Sequence, residues 1–430
     1  MRITLQAMRI RISSVGLPCY QRKEKTEITS RLETLPLGRT HNRNLISAGR
    51  VELKSNLESS EIITRQKDKR RIKQKMKRYG NLYPKIWDMD NIRLAHKNAR
   101  KGKLHYQEVQ MVNGNEEYYF SQIQDMLKNK TFRNSEYEIF IKRDSGKERQ
   151  IYKLPYYPDR IIHHCIMQIL EPIWVNTLIA DTYSSLKNRG IHKGVKRIKK
   201  VLKDKENTTY CLKMDVRKFY PSIDHNILKN IIRLKIKDHD VLWLLDEIIN
   251  STEGVPIGNY LSQYFGNLYL SGLDHWIKEK AGCKYYFGYC DDMVILHSDK
   301  QHLSQLRRDI SDYLESRLNM KLKDNWQIFP VSERGIDFLG YRFYHDHTIL
   351  RKSIATRFKQ RMKQIKAKHQ VLTPINILSG VMSYHGWMKY ADCHNLQNKY
   401  IDSDIIHIVG DTCSQNDIHN PLLSRRGEYG

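Results

Sequence analysis

The stretch Tyr289-Cys290-Asp291-Asp292-Met293-Val294-Ile295-Leu296 constrains this chain more than any other, because it sets two adjacent carboxylates between apolar runs. The aromatic run ending at Tyr289 and the aliphatic run from Met293 to Leu296 read as two strands of a hairpin, with the acidic pair at its turn. Carboxylates this close repel each other, and divalent cations relieve the repulsion. Two such ions about 3.5–4 Å apart are the usual apparatus of in-line phosphoryl and nucleotidyl transfer. An Asp-Asp turn alone is commonly a solvated loop tip, so a second acidic segment has to agree with it.

Such a segment lies upstream, from Tyr210 to His225. A short apolar strand delivers Asp215 at its end, and the aromatic pair Phe219-Tyr220 follows. A two-metal site takes ligands from separate chain segments, and a carboxylate at a strand terminus can face a hairpin turn across a sheet. Asp224 competes for the role, but Ser222-Ile223-Asp224-His225 reads as a helix N-cap. Asp215 is therefore read as the ligand and Asp224 as structural.

These two segments resemble motifs A and C of reverse transcriptases. Lys147-Glu148-Arg149-Gln150-Ile151 with Pro155 and Asp159-Arg160 is similar to the first finger motif of the bacterial enzymes, and Tyr183 to Gly194 to the second. The run from Gly254 to Gln263 resembles motif B, and Gly335 to Tyr341 motif E. Order and spacing agree over roughly residues 80 to 400. The resemblance implies an α+β chain with right-hand polymerase architecture: fingers at about 80–205, a palm with an antiparallel sheet at about 206–345, and a helical thumb at about 346–410. Residues 1–79 would be a basic N-terminal extension and 411–430 a polar tail.

The resemblance also assigns roles. Asp215, Asp291 and Asp292 would form the catalytic triad, with Val216 completing the metal set for two Mg2+ ions. One ion would activate the primer 3′-hydroxyl, and the other would hold the triphosphate and the leaving pyrophosphate. Tyr220 matches the aromatic gate that excludes a ribose 2′-hydroxyl, so the substrates would be dNTPs and the product DNA. Arg149, with Lys147 beside it, would grip the triphosphate, since a guanidinium fork suits phosphate oxygens. Lys323 or Lys321 would protonate pyrophosphate. Motif B departs from the common pattern: Ile257 precedes Gly258 where many relatives carry Gln, which implies looser checking of the new base pair.

The chain carries 74 Lys and Arg against 47 Asp and Glu, a net charge of +27 that points to a polyanionic partner. More than half of it sits in residues 1–100, with 24 basic and 9 acidic side chains. Between Arg65 and Arg78 nine of fourteen residues are basic, and Lys69, Arg70 and Arg71 are read as RNA contacts. A second basic stretch, Arg351 to Lys368, has no acid. There Phe358, Met362 and Ile365 form a helical stripe, leaving Arg357, Arg361 and Lys368 for a nucleic-acid backbone. Trp387 reads as a core aromatic.

Seven cysteines occur singly, which excludes a C-x-x-C zinc site or a disulfide framework, and no apolar run reaches membrane-spanning length. A reducing cytoplasm fits. The first 75 residues read as a basic arm, an over-extended reading frame or, third, a transit segment. No ribonuclease H-like acidic cluster or nuclease segment is evident. What the resemblance then implies is a polymerase that copies a dedicated structured noncoding RNA through an RNA–DNA hybrid. Antiphage defence is the first expected use. A diversity-generating retroelement with an accessory protein is the second, and a non-catalytic RNA-binding scaffold the third.

Overall fold

The computed structural model describes residues 77–144 and 146–415. Lys69, Arg70 and Arg71 lie outside the described residues.

Among the described residues four helices precede an antiparallel hairpin of β1 (Glu138–Asp144) and β2 (Lys147–Lys153), the longer two being α1 (Met89–Ala99) and α2 (Glu116–Lys128). Asp88 starts α1 by accepting hydrogen bonds from the N–H groups of Asp90 and Asn91. Helix α3 (Ile161–Val175) buries Ile161, Ile162, Cys165, Ile166, Met167 and Leu170, so it is apolar nearly all round and sits inside this lobe. Helix α4 (Ile191–Val201) is the opposite case, burying Val195, Ile198 and Val201 while Lys193, Lys196, Lys199 and Lys200 face out.

The centre is a four-stranded sheet. Strand β3 (Tyr210–Asp215) is followed by helices α5 (His225–Arg233), α6 (His239–Ile249) and α7 (Ser262–His275). The hairpin β4 (Tyr285–Tyr289) and β5 (Asp292–His297) then returns to the sheet, and α8 (Lys300–Leu318) leads to β6 (Gln327–Pro330). The spatial order is β4-β5-β3-β6, every neighbour antiparallel. Strand alternation sends Leu212, Met214, Tyr286, Met293 and Ile295 into a core shared with α7 and α8. The other face sends Cys211, Phe287, Val294 and Phe329 into a second core with α4 and the C-terminal segment. Full burial of each such side chain stabilises by about 1.5–3 kcal/mol, so the sheet is clamped from both faces.

A three-stranded antiparallel sheet, β7 (Ile336–Phe338), β8 (Tyr341–Phe343) and β9 (Thr348–Leu350), joins the second core. Helices α9 (Lys352–Lys368), α10 (Pro374–Met388) and α11 (Ser403–Gln415) complete it. The expected stripe on α9 is present and one turn longer, with Ile354, Phe358, Met362 and Ile365 buried. Trp387 is half-buried against Tyr341, ring centroids 5.3 Å apart. The α+β class with a central antiparallel sheet expected from the sequence is the one the chain adopts. Among the described residues no helix is long and apolar enough to cross a membrane.

Two aspartates do structural work near the sheet. Asp224 caps α5, accepting from Asn226 N–H at 2.8 Å and Ile227 N–H at 3.1 Å. Asp238 caps α6 with one oxygen, while the other accepts the N–H groups of Leu82 at 2.6 Å and Tyr83 at 3.1 Å. Asp224→Ala should therefore lower the unfolding free energy by about 1 kcal/mol in chemical denaturation. A loss near zero would show that the cap is dispensable.

Candidate active site

The strand register brings the acidic residues together. Asp215, the last residue of β3, pairs with Asp292, the first of β5. Tyr289 pairs with Asp292 across the hairpin, so only Cys290 and Asp291 lie in the turn. The sequence reading placed both aspartates at the turn; Asp292 belongs to the strand, because that pairing closes the hairpin around two residues. A two-residue turn of this hand needs left-handed backbone, and Cys290 supplies it at φ +57°.

The carboxyl groups are crowded and largely withdrawn from water. Burial, reinforced by the adjacent Asp215 carboxyl, pushes Asp291 up to about 7. Burial also raises Asp292, opposed by the charge of Lys213 and, more weakly, of Arg351 and Lys323. Asp215 Oδ2 accepts a hydrogen bond from the Lys323 ammonium. Its Oδ1 is buried without a hydrogen-bond partner. An orphaned carboxylate oxygen crowded against a second carboxyl fits a divalent cation, which Asp215 and Asp291 would hold. Among the described residues no three His, Cys, Asp or Glu side chains form a ready-made metal cage, and Asp292 leans on protein cations instead.

Lys323 is placed by the chain itself. Its N–H donates to the Asp215 carbonyl at 2.8 Å, the Arg217 N–H donates to the Lys321 carbonyl at 2.8 Å, and Val216 and Leu322 form an antiparallel bridge between them. Of the two lysines considered from sequence, Lys323 therefore reaches the site, while Lys321 is exposed. Val216 is buried directly behind Asp215.

Tyr220 lies beside the turn, its hydroxyl 2.9 Å from Cys290 Sγ. Its carbonyl accepts the Val255 N–H at 2.9 Å, tying this segment to the loop that holds Ile257 and Gly258. That loop is tied in turn to the hairpin: the Tyr152 N–H of β2 donates to the Ile257 carbonyl at 2.8 Å. Gly258 is required here, since φ is +120° and a Cβ would stand 2.4 Å from the Tyr152 carbonyl oxygen. In the strand register Lys147 stands opposite Asp144, and Arg149, opposite Lys142, is exposed.

On α9, Arg357 and Lys368 face solvent as expected. Arg361 departs from that expectation. Its guanidinium donates to the Asn376 carbonyl at 2.6 Å and to Gln364 at 2.7 Å, so it fastens α9 to α10.

Three neighbours escaped the sequence reading. Lys213 shares a strand face with Asp215 at the period of two, a signal that was there to be used; its ammonium donates to the Asp337 carbonyl at 2.6 Å. Arg351 donates to the Asp337 carboxylate at 2.6 Å and adds a positive charge near Asp292. His163, buried and held neutral by its surroundings at about 3, lines a cavity of about 190 Å³ with Ile151, Arg160 and Gly258.

Residues 141–343 match the family model described as Reverse transcriptase (RNA-dependent DNA polymerase). Protein YkfC of Escherichia coli (strain K12) is 25% identical, over 47% of this chain and 65% of that protein. The Group II intron-encoded protein LtrA of Lactococcus lactis subsp. cremoris is 24% identical, over 32% of this chain and 24% of its own length. The Putative COX1/OXI3 intron 2 protein of Saccharomyces cerevisiae is 21% identical, over 43% and 29%. The chain thus spans about two thirds of the first of these relatives and under a third of the others. Among solved structures, telomerase from Candida albicans with a fragment of telomeric RNA aligns with TM-score 0.42 at 11% identity, over 68% of this chain and 62% of that one.

The raised Asp291 carboxyl has a consequence for stability. Folded, it keeps its proton to about pH 7, whereas an unfolded aspartate loses it near pH 3.9. The native state then binds more protons over that window, so stability is fullest at its acid end and falls as pH rises through it. In chelator-treated buffer the wild-type Tm should drop between about pH 5 and pH 8 relative to Asp291→Asn. Parallel curves for the two proteins would show that Asp291 ionises freely in the fold.

Proposed function

We propose that this chain, whose residues 141–343 match the reverse transcriptase family model, is an RNA-directed DNA polymerase that copies a dedicated structured RNA. The observation that carries the reading is the meeting of Asp215, Asp291 and Asp292 at one sheet end, with an orphaned buried oxygen and a proton-retaining carboxyl between them. Asp215 and Asp291 would hold divalent cations, two Mg2+ in our reading, with the Val216 carbonyl and Asp292 in support. Such ions, when bound, lower the pKa of a primer hydroxyl and neutralise a triphosphate.

The remaining roles are proposed on the resemblance of the motifs. Arg149, with Lys147, would grip the triphosphate; in support, their hairpin is bonded to the loop of Ile257 and Gly258 through Tyr152. Tyr220 closes the floor against a 2′-hydroxyl. Lys323, held against Asp215, is the proton donor for the leaving pyrophosphate. Arg357 and Lys368 track the RNA–DNA hybrid along the outer side of α9, and Lys69, Arg70 and Arg71 hold the RNA. Arg361 is not assigned to nucleic acid. We infer antiphage defence as the biological use, on the resemblance carried by the Tyr-Cys-Asp-Asp box and the Ile-Gly-Asn form of motif B.

On a primed RNA template the protein should extend DNA in Mg2+ and stop on chelation. Asp291→Ala/Asp292→Ala should cut synthesis by on the order of 10³-fold or more while RNA binding persists. Sequencing of nucleic acid co-purified from cells should then find one abundant RNA with matching DNA only beside the intact pair. The same RNA with no DNA in either sample would favour the RNA-binding scaffold. DNA persisting in the double variant would overturn the site.

A further inference from the structure

We propose that Cys290 is a positioning residue for sugar selection: its thiol holds the tip of the Tyr220 ring. The inference rests on the polymerase reading above and names a specificity device within that site.

Tyr220 is fixed at its base and along its faces by independent contacts. Its carbonyl accepts the Val255 N–H at 2.9 Å, and Phe219 packs edge-on with ring centroids 5.1 Å apart. Beneath lies Gly266, where an added Cβ would come within 3.0 Å of Phe219 and 3.3 Å of the Tyr220 ring. None of these contacts restrains the hydroxyl end. That end meets Cys290 Sγ at 2.9 Å, and Ser184 is a second hydrogen-bond neighbour of the same thiol.

The thiol is placed by the catalytic turn. Cys290 takes the left-handed φ of +57° that the two-residue hairpin demands, a conformation that a side chain adopts at a cost and glycine would adopt freely. With glycine there the turn would form, and the contact to Tyr220 would vanish. The residue next in sequence to Asp291 is thereby hydrogen-bonded to the aromatic ring that lies where the sugar of an incoming nucleotide must pass. Movement of the carboxylates and movement of the ring are coupled through one side chain. An unanchored ring can swing about its Cα–Cβ and Cβ–Cγ bonds and open room for a 2′-hydroxyl.

The test is the ratio of dNTP to rNTP incorporation, each as kcat/KM, in wild type, Cys290→Ala, Cys290→Ser, Tyr220→Phe, Tyr220→Ala and the Cys290→Ala/Tyr220→Phe pair. Cys290→Ala and Tyr220→Phe should each lower the ratio about three- to tenfold, the effect of one hydrogen bond. The pair should lower it no further than either single change, because both remove the same contact. Cys290→Ser, which keeps a donor and acceptor in place, should restore the ratio to within about twofold of wild type. A second readout needs no catalysis: iodoacetamide labelling of Cys290, followed by peptide mass spectrometry, should run slower in Tyr220→Phe, where the thiolate loses the phenol hydrogen bond that favours it. An unchanged ratio in Cys290→Ala, beside a collapsed one in Tyr220→Ala, would overturn the anchoring role. Equal labelling rates in wild type and Tyr220→Phe would overturn the contact itself. A wild-type protein that makes no DNA would defeat the polymerase reading instead, and the labelling would still decide the contact.

Discussion

Like charges gathered at the end of a buried sheet set the terms for the rest of this molecule. Asp215 and Asp292 face each other across β3 and β5, and Asp291 follows in the adjoining turn, an arrangement that repulsion opposes at every step. What holds it is the strand register. A slip of one residue would turn Leu212, Met214, Met293 and Ile295 out of one core and drive Cys211, Phe287 and Val294 out of the other. Both faces of the sheet are packed, so any slip forfeits two cores at once. The carboxylates stay together because the apolar side chains behind them have nowhere else to go.

Main-chain bonds carry that rigidity outward. The segment after β3 runs beside residues 321–323, which fixes the Lys323 backbone next to Asp215, within reach of its ammonium. Tyr220 is bonded to Val255, and Ile257 two residues on is bonded to Tyr152 of the β1–β2 hairpin. Gly258 is the narrow point of that chain, where two backbones approach too closely for any side chain. Four segments far apart in sequence are thereby linked, largely through peptide groups, which specify position better than long flexible side chains do.

Much of this was legible in the sequence because it is local. Apolar and aromatic runs flanking the aspartates marked β3, β4 and β5, and the Ser-Ile-Asp-His string marked the Asp224 cap. A 3.6-residue period marked the buried stripe of α9. Arg361 shows the limit of that period: it tells which side of a helix is buried against one neighbour, not whether a second helix arrives on the flank, and α10 does. The Cys290–Tyr220 contact is illegible for a similar reason, as it spans 70 residues and depends on the hand of the turn. Lys213 was readable, two positions before Asp215 on the same face, but its purpose appears only when Asp337 and Asp292 arrive from elsewhere.

The two aspartates of the hairpin, adjacent in sequence, end in different electrostatic company. Asp292 is faced by Lys213, Arg351 and Lys323, so the protein itself supplies much of its countercharge. Asp291 is faced chiefly by Asp215, and nothing cationic offsets its burial to a comparable degree. A pair of like groups whose surroundings push them apart is the ordinary sign of divided roles. By that logic Asp292 is a fixed part of the frame, its charge partly offset from within, while Asp291 and Asp215, one of whose oxygens is held by Lys323, crowd each other. A divalent cation would find its place where the protein supplies least countercharge, beside Asp215 and Asp291 and close to the Tyr220 ring.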